Sequence, residues 1–217
     1  MKINMKEYSR IGKIIAALTA LSLIGTAIIY PYLPDRIPTH WSASGAVETA
    51  DKWVAFLIAL FPILFYALKI FLSGVGRQKE AYGKNKALFE GITLNVALFL
   101  FALHWITILI SLGYEIDMAF VVKLFLGIEL ALFGNYLGQI RQNYLFGIRN
   151  PWTITNEEVW KKVHHTGRYI YVIAGIAFVA LAFVKGVLGG VLLFAVLAVT
   201  IAFNFLYSYM VYRKLKT

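Results

Sequence analysis

Arg149, Trp152, Trp160, His164 and His165 crowd into one stretch, "NYLFGIRNPWTITNEEVWKKVHH" (143–165), of a 217-residue chain that is 60% hydrophobic. Arginine beside tryptophan suits two tasks: gripping a phosphate or carboxylate, and sitting at a membrane–water boundary. It is a poor start for catalysis. His164 and His165 are adjacent, so on a helix they point about 100° apart and make a weak pair of metal ligands. The chain has no phosphate loop, His-Glu-x-x-His or nucleophile elbow. No catalytic residue, metal or cofactor is therefore assigned, and the expectation is a protein that is not an enzyme. A membrane enzyme acting on lipid-linked substrates ranks last among the readings, for want of any nucleophile–base pairing.

A second set of groups lies inside apolar runs. Glu129 sits about 16 Å and His104 about 12 Å from the outer ends of their runs, at 1.5 Å per helical residue. A mid-bilayer carboxylate costs roughly 2.5–3.5 kcal/mol on insertion scales, so Glu129 must be protonated or paired. The similar depths allow a His104–Glu129 contact, which is either a structural hydrogen bond or the coupling site of a small-solute or proton-linked transporter. His104 shares a polar stripe with Thr93, Thr107 and Ser111, whereas Asn95 faces the other way. Asn135 and Asn204 are expected to bond neighbouring helices, "GNYLG" (134–138) to offer a Gly-xxx-Gly packing face, and Pro62 to kink its helix.

The third set is "PYLPDRIPTHWSASGAVETADKW" (31–53). Pro31, Pro34 and Pro38 fix φ and withhold donors, so the chain leaves the first apolar run extended. "SASG" reads as a turn, with Gly45 supplying a permissive φ. The segment is either a structured connector anchored by Trp41 and Trp53, or a docking surface presenting His40 and Trp41.

These groups must be positioned by membrane helices. Only 15% of residues are charged and the mean hydropathy is +0.71, well beyond a soluble domain. Hydrocarbon of roughly 30 Å needs about 20 apolar residues per helix, and six runs qualify: 11–32, 53–72, 88–112, 118–137, 169–184 and 187–212. The fold class expected is an all-α integral membrane protein with six transmembrane helices. One membrane domain results, with an N-terminal helix pair (11–72) enclosing an outer loop (33–52), and helices three to six (88–212) enclosing the motif loop (138–167). The first run is read as retained, not as a cleaved signal peptide, because it is long and offers no small-residue cleavage site. With no cysteine, disulfides and thiolate chemistry are excluded.

Charge sets the orientation. Lys2, Lys6, Arg10 and Lys13 precede or open the first run. Lys69, Arg77, Lys79, Lys84 and Lys86 surround the second connection. Arg141, Arg149, Lys161, Lys162 and Arg168 lie in the fourth, and Arg213, Lys214 and Lys216 in the tail. The other side has only Arg36, Lys52, Lys123 and Lys185. Both termini are therefore cytoplasmic. The net charge of +10 is a topology signal; spread over short loops, it points to no direct nucleic-acid partner. Segment 73–87 reads as a plain linker. In the motif stretch "TNEE" (155–158) fits a capping box built on Thr155 and Glu158. Val159, Trp160, Val163, His164 and Gly167 follow at helical spacing. That pattern predicts a short amphipathic helix lying on the inner membrane surface, with Gly147 and Asn150-Pro151 turning the chain ahead of it. On physics alone the stretch either locks helices together and binds lipid phosphates, or is a working surface.

With those residues assembled, the chain resembles the SdpI family of bacterial immunity proteins. "GNYLGQIRQNYLFGIRNPWTITNEEVWKKVHHTG" (134–167) is similar to that family's cytoplasmic motif. "LPDRIPTHWSASG" (33–45) is similar to the small domain of unknown function at the family's N-terminal end. Asn150 replaces the family's usual Thr, and Ile154 its usual Leu. The resemblance implies a multi-pass protein of the bacterial cell membrane that protects its host from a secreted, membrane-active peptide toxin met on the outer side. It also implies that a cytoplasmic winged-helix repressor is held at the membrane, which makes the protein a signal transducer. Its partners would then be membrane lipid, the toxin and the repressor. Carried over by position, the motif falls on Asn135, Asn143, Gly147, Arg149, Pro151, Trp152, Thr153 and Trp160, with His164 beside them. The outer match falls on Pro34, Pro38, His40, Trp41 and Gly45.

Overall fold

A computed structural model describes residues 5–41 and 47–216. Their elements are α1 (Met5–Ile29), a 3-10 turn (Tyr30–Tyr32), β1 (Arg36–Trp41), β2 (Val47–Asp51), α2 (Val54–Ala59), α3 (Phe61–Ser73), α4 (Gly76–Lys84), α5 (Lys86–Ser111), α6 (Met118–Leu137), α7 (Pro151–Thr155), α8 (Glu157–Leu181) and α9 (Gly186–Lys216). Four stretches, Arg10–Tyr32, Lys86–Ser111, Met118–Leu137 and Gly186–Lys216, are long and apolar enough to cross a membrane. The chain is a mostly helical membrane protein. The second apolar run is instead divided at Leu60 into α2 and α3. Pro62 has no N–H to give to Ile58, so the helix resets just before it. The fifth run is the far half of α8, whose opening turns are polar.

The described residues form two units. One comprises residues up to Ser73 together with Phe89–Asp117. Here Ile15, Tyr66 and Ala97 pack together, as do Leu33, Ile37, Ala55 and Ile108. The buried face of α1 runs Ile15, Thr19, Ser22, Thr26 at helical spacing. Thr26 Oγ1 lies 3.0 Å from His104 Nε2. Lys69 and Glu90 form an ion pair at 2.5 Å, their side chains only 10% and 13% exposed. The Pro-rich segment is extended as expected, but it also pairs: β1 and β2 are antiparallel, with Arg36 opposite Asp51 and Trp41 opposite Val47. This hairpin is a short addition to an otherwise helical set of elements. The ladder is irregular between Pro38 and His40, where Pro38 has no N–H to offer. Arg36 ties the strands by donating to Asp51 Oδ1 at 3.1 Å and to the Thr49 carbonyl at 2.7 Å. The expected "SASG" turn, with Gly45, lies outside the described residues.

The other unit comprises Gly74–Leu88 and Met118–Thr217. Its centre is α6 packed antiparallel on α8 at backbone distance. A Cβ on Gly175 would lie 2.6 Å from Gly127 O, and one on Gly134 would lie 2.7 Å from Val172 N. Small residues let two helices approach so closely. The packing face is thus Gly127 and Gly134, not Gly134 and Gly138; Gly138 is exposed and meets only the Arg168 side chain. Lys123 reaches across to donate to Val184 O at 2.8 Å. Asn204 donates to Thr200 O within its own helix at 2.7 Å, and Asn135 is exposed on α6. Among the described residues neither makes the interhelical hydrogen bond expected of it, because Asn204 finds a carbonyl one turn back and Asn135 faces outward.

Two further expectations change here. The amphipathic helix is no separate element, since α8 runs unbroken from Glu157 to Leu181. Its apolar face, Val159, Trp160, Val163, His164 and Gly167, is buried in the protein and not laid on a lipid surface. Segment 73–87 is no plain linker, since it folds into α4 and buries Ala81, Tyr82 and Asn85.

Candidate functional site

The motif residues converge on the loop joining α6 to α7. With no regular structure over 140–150, its backbone groups need side-chain partners. Asn85, just past α4, accepts the Arg141 N–H at 2.8 Å and donates back to Arg141 O at 3.4 Å. Asn143 Oδ1 accepts the N–H groups of Leu145 and Phe146, both at 2.8 Å, and its amide donates to Arg141 O at 2.8 Å. Gln142 donates to Thr153 O at 2.9 Å and Ile154 O at 3.0 Å, collecting carbonyls that a five-residue helix leaves free.

α8 closes the loop from the other side. Trp160 Nε1 donates to Ile140 O at 2.8 Å, and its ring stacks on His164 with centroids 3.9 Å apart. His164 Nε2 accepts the Ile148 N–H at 3.0 Å, and Nδ1 lies 2.9 Å from Trp160 O. A backbone N–H can only donate, so the ring is neutral with its proton on Nδ1. Burial holds it there, lowering the His164 pKa to about 4. Both ring nitrogens are committed, and His164 has no lone pair left for base or metal chemistry. Gly147 passes at φ +115°, and a Cβ there would lie 2.5 Å from His164 Nε2.

Capping places α7 and α8. Asn150 Oδ1 accepts the Thr153 N–H and Thr153 Oγ1 accepts the Asn150 N–H, both at 3.0 Å, with Pro151 in the first turn. The cap of α8 is Asn156, which accepts the N–H groups of Glu158 at 2.9 Å and Val159 at 3.0 Å. The box expected on Thr155 and Glu158 is not formed. Thr155 donates to Pro151 O at 2.6 Å, and Glu158 pairs with Lys162 at 2.8 Å. Asn ranks above Thr as an N-cap. Glu157 pairs likewise with Lys161 at 2.8 Å, which holds its carboxyl below the ordinary range.

The motif therefore divides in two. Asn143, Thr153, Trp160 and His164 are buried and, with Gly147, build the loop. Arg149 and Pro151 are exposed and Trp152 half-buried. Arg149 donates to Tyr144 O at 2.5 Å, and Trp152 packs on Phe205 and Tyr209 with centroids 4.9 and 5.2 Å away. Asn135 does not join the cluster. Asn85, Gln142 and Asn156 do the joining and were not singled out from sequence. Of the three, only Asn156 carried a local signal, as an N-cap type just before two glutamates.

Elsewhere, His40 and Pro34 are exposed on the hairpin, and Pro38 and Trp41 half-buried. His104 is buried against Thr26, whereas Glu129 is half-exposed on α6. His104 and Glu129 belong to different units, and His104 takes its partner within its own.

Comparison with known proteins assigns this arrangement. The profile of the SdpI/YfhL protein family matches residues 139–208, and that of a domain of unknown function (DUF1648) matches residues 17–65. The chain is 31% identical over 198 residues, 91% of its length and 94% of the relative's, to Immunity protein SdpI of Bacillus subtilis (strain 168). The chain belongs to the SdpI family. No solved structure shows significant similarity to it. The SdpI profile begins at Gln139, where the clasped loop begins, and it takes in α7, α8 and most of α9. The N-terminal profile covers the second half of α1, the hairpin, α2 and the start of α3.

Proposed function

We propose that this SdpI-family protein is an immunity-type membrane protein that shields a bacterial cell from a secreted, membrane-active peptide toxin. The observation that carries the reading is its similarity to an immunity protein along 91% of the chain. In this proposal six segments cross the cytoplasmic membrane, α2 with α3 and the far part of α8 serving as the shorter two. Both termini and the motif loop face the cytoplasm, in keeping with the placement of Lys and Arg. The toxin is met by the outer hairpin, where His40 is exposed and Trp41 half-buried. Arg149, Pro151 and Trp152 present the outward side of the motif to a cytoplasmic winged-helix repressor. Signalling between them requires the toxin to favour one of two helix arrangements.

The test is expression in a toxin-sensitive bacterium. Survival above empty vector for at least one peptide toxin is expected, and survival equal to empty vector across a panel would sink the reading. Arg149→Ala then separates the two roles, because it gives up one exposed bond, to Tyr144 O, and leaves the buried clasp of Asn143, Thr153, Trp160 and His164 in place. Protection is expected to persist while capture of the repressor at the membrane is lost.

A further inference from the structure

The buried face of α1 is polar where it meets α5. Thr19, Ser22 and Thr26 recur at helical spacing and are 5%, 0% and 0% exposed. Against this face α5 sets His104, 1% exposed, and Trp105. Thr26 Oγ1 has its partner in His104 Nε2 at 3.0 Å. Among the described residues the other polar atoms of the group have none: Thr19 Oγ1, Ser22 Oγ, His104 Nδ1 and Trp105 Nε1 are buried and make no hydrogen bond. Elsewhere on the long helices a buried hydroxyl turns to a carbonyl of its own helix. Thr93 bonds Phe89 O at 2.6 Å, Thr200 bonds Val196 O at 2.8 Å, and Ser208 bonds Asn204 O at 2.6 Å. Thr19 and Ser22 do not take that way out.

The unpartnered atoms share one seam. Ser22 lies one turn before Thr26, and Thr19 one turn before Ser22. A Cβ on Gly25 would lie 2.4 Å from Trp105 Cη2 and 2.8 Å from Cζ2. The indole therefore presents to α1, at the level of Ser22 and Thr26, the ring edge next to its N–H. Gly25 meets a side chain, whereas Gly127 and Gly175 meet backbone, so α1 and α5 stand farther apart at this level than α6 and α8 do at theirs. Both helices lie in stretches long and apolar enough to cross a membrane, where a polar atom finds no bulk solvent to repay a lost bond.

The demands of the seam are mixed. Trp105 Nε1 can only donate, and each hydroxyl both donates and accepts. His104 Nδ1 needs a donor or an acceptor according to the role that Nε2 plays toward Thr26. A small molecule that donates and accepts in several directions serves them all. Successive hydroxyl-bearing residues are about 4.5 and 6 Å apart along the helix axis, and one water reaching about 2.8 Å to either side spans that separation. From this geometry we infer that α1 and α5 hold a water-binding site, with Ser22, His104 and Trp105 as its principal ligands and Thr19 extending it by one turn. Buried water of this kind joins polar groups that lack any other partner. The site does not depend on the immunity reading, since it can be measured on the purified protein alone.

The experiment places the full chain, carrying isotope-labelled tryptophan, in phosphatidylcholine bilayers. Solid-state NMR follows proton polarisation as it passes from water to the indole N–H groups, and Trp105→Phe identifies the Trp105 signal by its loss. Trp53, 52% exposed, sets the rate for an accessible indole. Trp105 is expected to be reached at a comparable rate despite its buried N–H. Ser22→Ala should slow that transfer about two-fold, because the water loses one of its bonds. Thermal melting is the second readout, with helical content preserved. Ser22→Ala should lower the midpoint, since a hydroxyl bonded to water contributes to the fold. A dry seam gives the opposite sign, because deleting a buried oxygen that has no partner removes a cost. A Trp105 signal that water does not reach would overturn the proposal. So would a midpoint unchanged or raised in Ser22→Ala, and transfer unaltered in that variant would remove Ser22 from the site and overturn the assignment as drawn.

Discussion

His164 holds two backbone groups at once, accepting the Ile148 N–H at 3.0 Å through Nε2 while Nδ1 donates to Trp160 O at 2.9 Å. One ring thereby fastens the motif loop to the first turns of α8, and it can do so only while neutral.

Stability should consequently fall in acid. Burial brings the His164 pKa to about 4 from an ordinary 6.5. Between those values the unfolded chain binds a proton that the folded chain refuses, so stability rises with pH across the window. The contribution is complete above pH 6.5 and is lost as pH falls toward 4, amounting to roughly 3 kcal/mol. Denaturant unfolding in detergent across this range measures it. His164→Gln should flatten the slope; an unchanged slope would assign the effect to other groups.

Gly147→Ala should loosen the same clasp. Its φ of +115° disfavours a side chain, and the new Cβ would lie 2.5 Å from His164 Nε2. Backbone strain of this kind costs about 1–3 kcal/mol before any clash is counted. Gly83→Ala is the matched control, on a helix with nothing within 4 Å of the added carbon. It should stabilise by up to about 1 kcal/mol. Thermal melting of the two variants should move in opposite directions, and equal shifts would refute the account.

Asn150 caps α7 through its side chain, and a Thr there would also accept an N–H in the first helical turn. Asn150→Thr should therefore change stability by only a few tenths of a kcal/mol, and Asn150→Ala should cost about 1 kcal/mol. A threonine variant as damaged as the alanine one would show that Asn150 does more than cap α7.

The Thr26–His104 hydrogen bond at 3.0 Å should show a measurable coupling in a double-mutant cycle with Thr26→Val and His104→Phe. Side-chain hydrogen bonds within membrane bundles average about 0.6 kcal/mol. Strict additivity of the two single changes would mean that the contact contributes nothing.

Much of this protein follows from local pattern. The apolar runs had to become helices, because a chain in hydrocarbon must satisfy its backbone internally. Pro62 had to interrupt its helix, and Asn150-Pro151 had to begin one. The buried face of α8 was readable from Val159, Trp160, Val163, His164 and Gly167, since helical spacing reports which residues share a side. Spacing does not report what that side meets, however. The same stripe suits a lipid surface or a protein core, and only the folded loop at Ile140 and Ile148 decided between them.

Tertiary structure alone supplied the partners. Asn85 lies far along the chain from Arg141, and nothing near either residue announces the pairing. Thr155 and Asn156 were both competent caps, and the choice fell to how α7 and α8 meet. Buried His104 took Thr26, a choice invisible to a count of depths along separate helices. Periodicity and capping are properties of neighbouring residues and can be read from the sequence. Hydrogen-bond partners brought together from distant segments depend on the packing that leaves each buried polar group its nearest complement.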